Sequence, residues 1–198
     1  MATTAYPTTS HPWHGISTFL EDDIVQFYIE ATPFETLKYE LDKPTGLLSI
    51  DRPLHSALPP YTYGFIPRTY CGEGVNALNP NSKSGDDDPL DAFMVSEVPL
   101  TRSGVLARGR VVGGIPMVDD GEADDKLILV LNKDPAWGGV REVDELPEGM
   151  IERIRHYLLT YKPGSKVKLG ETYGSKHGMA VLKASVTDYL TTFTPVRT

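Results

Sequence analysis

At 198 residues, with 40% hydrophobic and 23% charged side chains, the chain has the length and composition of one globular domain with a full core. Its net charge of −8 and the lack of a basic face with interleaved aromatics argue against nucleic acid as a partner. No run approaches the ~18 apolar residues that span a bilayer, which argues against a membrane.

The first 15 residues, "MATTAYPTTSHPWHG", read as a flexible polar arm without the basic and apolar regions of a secretion signal. His11 and His14 have nothing in such an arm to complete a metal shell. Residues 16–198 then read as a single domain. Six runs, 26–30, 37–41, 47–52, 92–98, 105–115 and 126–131, are β-branched or alternating and are broken by Gly, Pro and Asp turns. Strands so closely spaced predict a closed or nearly closed barrel. The period then changes. Asp144 is the expected N-cap of a helix carrying Ile151, Ile154, Leu158 and Tyr161 on one face, with a stop at Pro163-Gly164. A second helix is expected from about Met179 to Leu190, with Met179, Leu182, Val186 and Tyr189 on one face. "CGEGVNALNPNSKSG" (71–85) reads as a surface loop that can be shortened without harm. Cys71 is the only cysteine, so no internal disulfide forms, and a reducing, cytoplasmic location is expected.

The charge is unevenly placed. Asp86, Asp87, Asp88 and Asp91 form one cluster, and Asp119, Asp120, Glu122, Asp124 and Asp125 form another. These nine are a third of the 27 acids, and the remaining 18 nearly balance 19 Lys and Arg. Adjacent carboxylates raise one another's pKa unless a positive charge sits among them. The ligands on offer are all oxygen, which suits Mg²⁺, Mn²⁺ or Ca²⁺ rather than zinc or copper. The EF-hand spacing does not occur, because Leu90 stands where a third acid belongs and Pro89 stiffens the loop. Taken alone, each cluster is equally a solvated acidic turn. Cations and phenols lie close in sequence: Lys38 and Glu40 share a strand face, Arg52 ends the next strand, Lys126 follows the second cluster, and Tyr161-Lys162 close the long helix. Metals and cations together hold phosphate oxygens. Two classes stay open on the residues alone: a metal-dependent phosphohydrolase acting on nucleotides or phosphomonoesters, and a noncatalytic divalent-ion module. No Walker or Rossmann glycine pattern supports nucleotide binding.

"DDDPLDA" (86–92) resembles the signature of the soluble family I inorganic pyrophosphatases. "IEATPFETLKYELDKPTGLLSIDR" (29–52), "YGFIPRTY" (63–70), "MVDDGEADDKLILV" (117–130) and "YLLTYK" (157–162) are similar to further segments of that family and follow in its order. The resemblance implies a mainly β, α+β fold: a five-stranded OB-like closed barrel packed by two helices. It implies Mg²⁺-dependent hydrolysis of pyrophosphate to two orthophosphates, with Mn²⁺ a substitute ion. By motif, Asp86, Asp91 and Asp124 would bind one metal, Asp91 would be shared with a second, Asp119 and Asp124 would serve a third, and Glu30 a fourth that arrives with substrate. Asp88 would be the general base. Lys38, Arg52, Lys126, Tyr161 and Lys162 would grip phosphate oxygens, supported by Tyr63 and Glu40. A homo-oligomer is implied, a hexamer ahead of a dimer. Two positions depart from the family. Pro59-Pro60 stands where Tyr-Pro is common, so a phosphate-binding phenol is missing there unless Tyr61 replaces it, and Asp87 stands where Gly is frequent.

Overall fold

Alternating strands bury one face only if the sheet stacks on something or closes on itself. The computed structural model, which describes residues 10–193 except 22, 56, 57, 163 and 165, shows closure. The strands are β1 (Phe19–Glu21), β2 (Ile24–Ala31), β3 (Leu37–Leu41), β4 (Leu48–Pro53), β5 (Thr62–Phe65), β6 (Ser84–Gly85), β7 (Asp91–Val95), β8 (Leu106–Ile115), β9 (Met117–Asp119), β10 (Glu122–Ala123), β11 (Lys126–Leu131), β12 (Lys168–Leu169) and β13 (Tyr173–Gly174). The helices are α1 (Glu73–Asn76), α2 (Glu148–Thr160) and α3 (Ser175–Thr192). All six expected runs form strands.

The main sheet runs β2-β5-β7-β11-β8, and β8 pairs back onto β2, so five strands form a closed barrel. One pairing inside it, β7 with β11, is parallel. The hairpin β3-β4 stands apart, and β12-β9-β10-β6 form a small second sheet. Alternate strand residues feed two clusters. Val25, Phe27, Met94, Val111, Leu127 and Leu129 pack with Val181 and Leu182 of α3. Phe93, Val95, Val112, Ile128 and Val130 pack with Ile151, Ile154 and Leu158 of α2. The barrel is therefore flanked by two long helices, as the fold class implied. Among the described residues no helix is long and apolar enough to cross a membrane.

Four expectations change. Residues 11–14 of the expected arm are held on the domain. Residues 1–9 lie outside the described part, but Trp13 is 3% exposed, donates its indole N–H to the Thr69 carbonyl at 2.8 Å and packs with Phe65 and Tyr189. An indole of that size wins more by burial than the turn loses in chain freedom. Asp144 does not cap a helix. It lies in a 3-10 turn, Val143–Glu145, closed by a reciprocal Glu142/Glu145 capping box, and α2 starts only after Pro147. Leu146 must be extended because it precedes proline, and this splits the helical run in two. Of the Pro163-Gly164 stop, Gly164 takes a left-handed φ of 69° beyond the last turn, and Pro163 lies outside the described residues. α3 begins four residues earlier than expected. Gly178 lets it press on β8, since a Cβ there would lie 2.9 Å from a Val111 methyl.

The fourth change concerns residues 71–85, which are not a loose surface loop. They contain α1 and β6, and Cys71, Val75 and Asn79 are buried. The Asp188 carboxylate of α3 accepts the amides of Gly72, Gly74 and Val75 at 3.0 to 3.1 Å. Polar composition concealed a segment held by hydrogen bonds and one apolar anchor.

Candidate active site

The strand ends place the carboxylates. Glu30 lies near the end of β2, Asp91 opens β7, and Asp124 and Lys126 sit at the start of β11. Their side chains meet Asp86 and Asp88 from the turn before β7, Lys38 and Glu40 from β3, and Tyr157 and Tyr161 from α2 around a cavity of about 260 Å³. Trp13, Leu41, Lys43, Leu54, Pro59 and Tyr63 complete much of its wall.

At the centre Lys126 holds two anions. Its Nζ donates to Asp91 Oδ2 at 2.6 Å and to Asp124 Oδ1, and the Tyr63 hydroxyl donates to Asp91 Oδ2 as well. Burial works against the Lys126 charge, but Asp124 and Asp91 outweigh it and raise its pKa well above the ordinary lysine value. The Tyr63 phenol is likewise driven up, by burial first and then by the Asp91 charge. The acids respond in the opposite sense to stability. Burial raises Asp91, partly offset by Lys126. Burial and then the Asp124 charge raise Asp86, and burial with the Asp91 charge pushes Glu30 up to about 8. Glu30 accepts the Leu41 amide at 3.0 Å. Among the described residues neither Glu30 nor Asp86 has a cation within ion-pair distance. Lys38 and Lys43 are taken up by Glu40 and Asp88, which leaves Lys126 to face Glu30, Asp86, Asp91 and Asp124, too little positive charge for four carboxyls.

The remaining expected residues stand around this centre. Asp88 donates its amide to Asp86 Oδ1 at 3.0 Å, and its carboxylate pairs with Lys43 at the rim. Asp119 accepts Lys162 Nζ at 3.0 Å, on the side that Tyr161 also faces. Lys38 pairs with Glu40 and lies 3.5 Å from Asp51, which also holds Arg52. Arg52, Asp119 and Lys162 do not line the cavity itself. Tyr61 does not replace the missing phenol, because its hydroxyl engages Arg153 of α2 and only Pro59 reaches the cavity. Tyr157 of α2 lines the cavity. It stacks on Tyr161 at 5.4 Å and feels the charges of Lys126 and Arg52, while burial raises it to about 12. Its spacing of four residues from Tyr161 on one helix was the readable signal for it. Asp87 takes a φ of 62°, the left-handed region in which glycine is unstrained, and its carboxylate accepts the Tyr70 hydroxyl at 2.5 Å.

Among the described residues no three His, Cys or carboxylate groups converge as finished ligands of a single ion. The donor chemistry nevertheless fits a hard divalent ion. All candidate ligands are carboxylate oxygens, and the raised pKa values of Glu30, Asp86 and Asp91 mark a site short of positive charge.

Comparison with known proteins gives one answer. A family model described as inorganic pyrophosphatase matches residues 27–190. The inorganic pyrophosphatase of Chlamydia caviae is 40% identical over 200 aligned positions, covering 92% of each chain. Soluble inorganic pyrophosphatase 3 of Arabidopsis thaliana is 36% identical over 81% of this chain and 68% of its own. The crystal structure of the Thermus thermophilus inorganic pyrophosphatase superposes with a TM-score of 0.77 at 29% identity, covering 91% of this chain and 99% of that one. The order of motifs, the five-stranded barrel, the acidic cleft and these relatives agree: the chain belongs to the inorganic pyrophosphatase family.

Proposed function

We propose that the chain hydrolyses pyrophosphate to two orthophosphates in this cleft, with Mg²⁺ as its ion and Mn²⁺ as a substitute. The observation that carries the reading is the convergence of Glu30, Asp86, Asp91 and Asp124 with Lys38 and Lys126 around one small cavity. Acids in excess of bases call for cations, and bases beside them call for an anionic ligand. A bound divalent ion acidifies water and screens phosphoryl charge. Glu30, Asp86, Asp91, Asp119 and Asp124 are the residues that would hold such ions.

Asp88 takes the proton of the attacking water. The Asp88 position before Pro89 keeps its backbone extended, which turns the carboxylate to the rim where Lys43 meets it. Lys38, Arg52, Lys126 and Lys162 hold the phosphate oxygens and stabilise the charge on the departing orthophosphate, with the Tyr161 hydroxyl beside them. Tyr63 and Glu40 act through their partners, orienting Asp91 and Lys38. Water attacks one phosphorus, its P–O bond to the bridging oxygen breaks, and the second phosphate leaves with the bridging oxygen.

We further propose a cytoplasmic homo-oligomer, a hexamer ahead of a dimer. Leu47 and Ile50 at 68% and 60% exposure on the hairpin support association, and sedimentation velocity measures it. Parallel assays of phosphate release from pyrophosphate, ATP and a phosphomonoester, each with Mg²⁺ or with chelator, test the activity. Release from pyrophosphate alone, abolished by chelator, is expected. Equal release from ATP would favour the nucleotide hydrolase, and none from any substrate the ion-binding module.

A further inference from the structure

Asp125 lies between two residues of the site and belongs to neither its lining nor the solvent. Asp124 and Lys126 reach the cavity, whereas Asp125 is turned into the protein and is 2% exposed. Both of its oxygens have donors: Asn79 Nδ2 at 2.8 Å on Oδ1 and the Tyr173 hydroxyl at 3.0 Å on Oδ2. A charged or polar group so deeply placed is costly unless satisfied in this way.

Asn79 does more than satisfy Asp125. Its Nδ2 also donates to the Met117 carbonyl at 3.0 Å, and that same carbonyl accepts the backbone amide of Asp124 at 3.0 Å. One buried amide thus touches the acceptor of the Asp124 backbone and the side chain of the next residue. Asn79 is in turn fixed by its neighbours. It is 2% exposed, it follows α1, and α1 is tied to α3 through Asp188. Tyr173 comes from the other side. β13 pairs with β8 at Gly113 and Gly114, and a Cβ on Gly114 would lie 2.5 Å from the Tyr173 ring. The glycine makes room for the ring that carries the hydroxyl to Asp125.

We propose that Asn79, Asp125 and Tyr173 are positioning residues that set the backbone carrying Asp124 and Lys126, so that the 71–85 segment works as a strut beneath the cleft. The inference rests on the roles given above to Asp124 and Lys126. Catalytic side chains need placement to a fraction of an ångström, and partners one step removed from the reacting groups supply it.

The test compares Tyr173→Phe and Asn79→Leu with Asp134→Asn. Asp134 is a buried loop residue that accepts the Glu97, Ala136 and Trp137 amides away from the cleft and serves as a control for lost stability. Melting temperature, kcat and KM for pyrophosphate at saturating Mg²⁺, and Mn²⁺ affinity by calorimetry without substrate are measured. For the two positioning variants, kcat and Mn²⁺ affinity are each expected to fall about tenfold. Their KM should stay within about twofold. Asp134→Asn should lower only the melting temperature. If Asn79→Leu does not fold, Tyr173→Phe decides alone, since it removes one oxygen and no packing. Parental kcat and Mn²⁺ affinity in Tyr173→Phe would overturn the inference. So would equal losses in Asp134→Asn. An inactive parent would instead strike the proposed reaction, and the Mn²⁺ titration would still decide the positioning role.

Discussion

Lys126 Nζ stands 2.6 Å from Asp91 Oδ2, with the lysine side chain only 4% exposed and the aspartate 19%. The same nitrogen contacts Asp124, so one buried cation compensates two buried anions. Breaking such a group from its cationic side leaves uncompensated charge in the interior.

Lys126→Met is therefore expected to destabilise the metal-free protein by about 3 to 5 kcal/mol, the cost of stranding buried charge. Asp91→Asn is expected to act in reverse. It keeps the shape, leaves Asp124 on Lys126 and relieves repulsion, so metal-free stability should hold or rise. Turnover should nevertheless fall at least about a hundredfold, because the anion central to the site is gone. Urea unfolding with chelator, paired with initial rates in Mg²⁺, separates the two. An Asp91→Asn protein that turns over like the parent would remove Asp91 from the ligand set.

The stability of the metal-free protein should fall as pH rises. Glu30 has a folded pKa of about 8 against an ordinary 4.5. Between those values the unfolded chain has released this proton and the folded chain keeps it, so the slope of stability against pH is negative. Asp86 is shifted in the same direction and adds to the effect. Melting temperatures in chelator should therefore decline from about pH 5 to about pH 8, and Mg²⁺ should raise them most at the alkaline end. Glu30→Gln should flatten the decline. Rising stability over that range would contradict the placement of these carboxyls.

Replacing residues 74–84 with a short Gly-Ser connection is expected to unfold or inactivate the protein, since Val75 and Asn79 are buried. Val75→Ala alone should cost about 2 kcal/mol. A folded, active deletion would show the segment to be dispensable.

Asp88 is 47% exposed in its side chain and touches Lys43 rather than Lys126. Asp88→Asn should slow turnover by about 10² to 10⁴, the worth of a positioned base. Activity should recover in part at high pH, where water needs less help to lose its proton, and first-ion affinity should change little. A kcat profile against pH with a metal titration checks this. A main defect in metal affinity would make Asp88 a ligand.

The motifs "DDDPLDA" and "YLLTYK" pointed to the chemistry through their resemblance to a known family, because a run of carboxylates alone is equally a solvated turn, whereas the strand runs were legible for local reasons. Periodicity located β2, β7, β8 and β11 to within three residues, since burial of alternate side chains is written into order along the chain. Close strand spacing predicted a closed or nearly closed barrel, whereas its five-stranded, OB-like form was implied only by family resemblance. Asp125 was legible as a member of the acidic motif, but its partners, like those of Trp13, lay beyond the reach of the sequence. Trp13 finds Thr69 56 residues away, and Asn79 finds Asp125 46 residues away. Such partners are chosen by how the barrel brings distant segments together. Composition and spacing decide which groups a chain has to satisfy, and only the packed fold decides which of them satisfy one another.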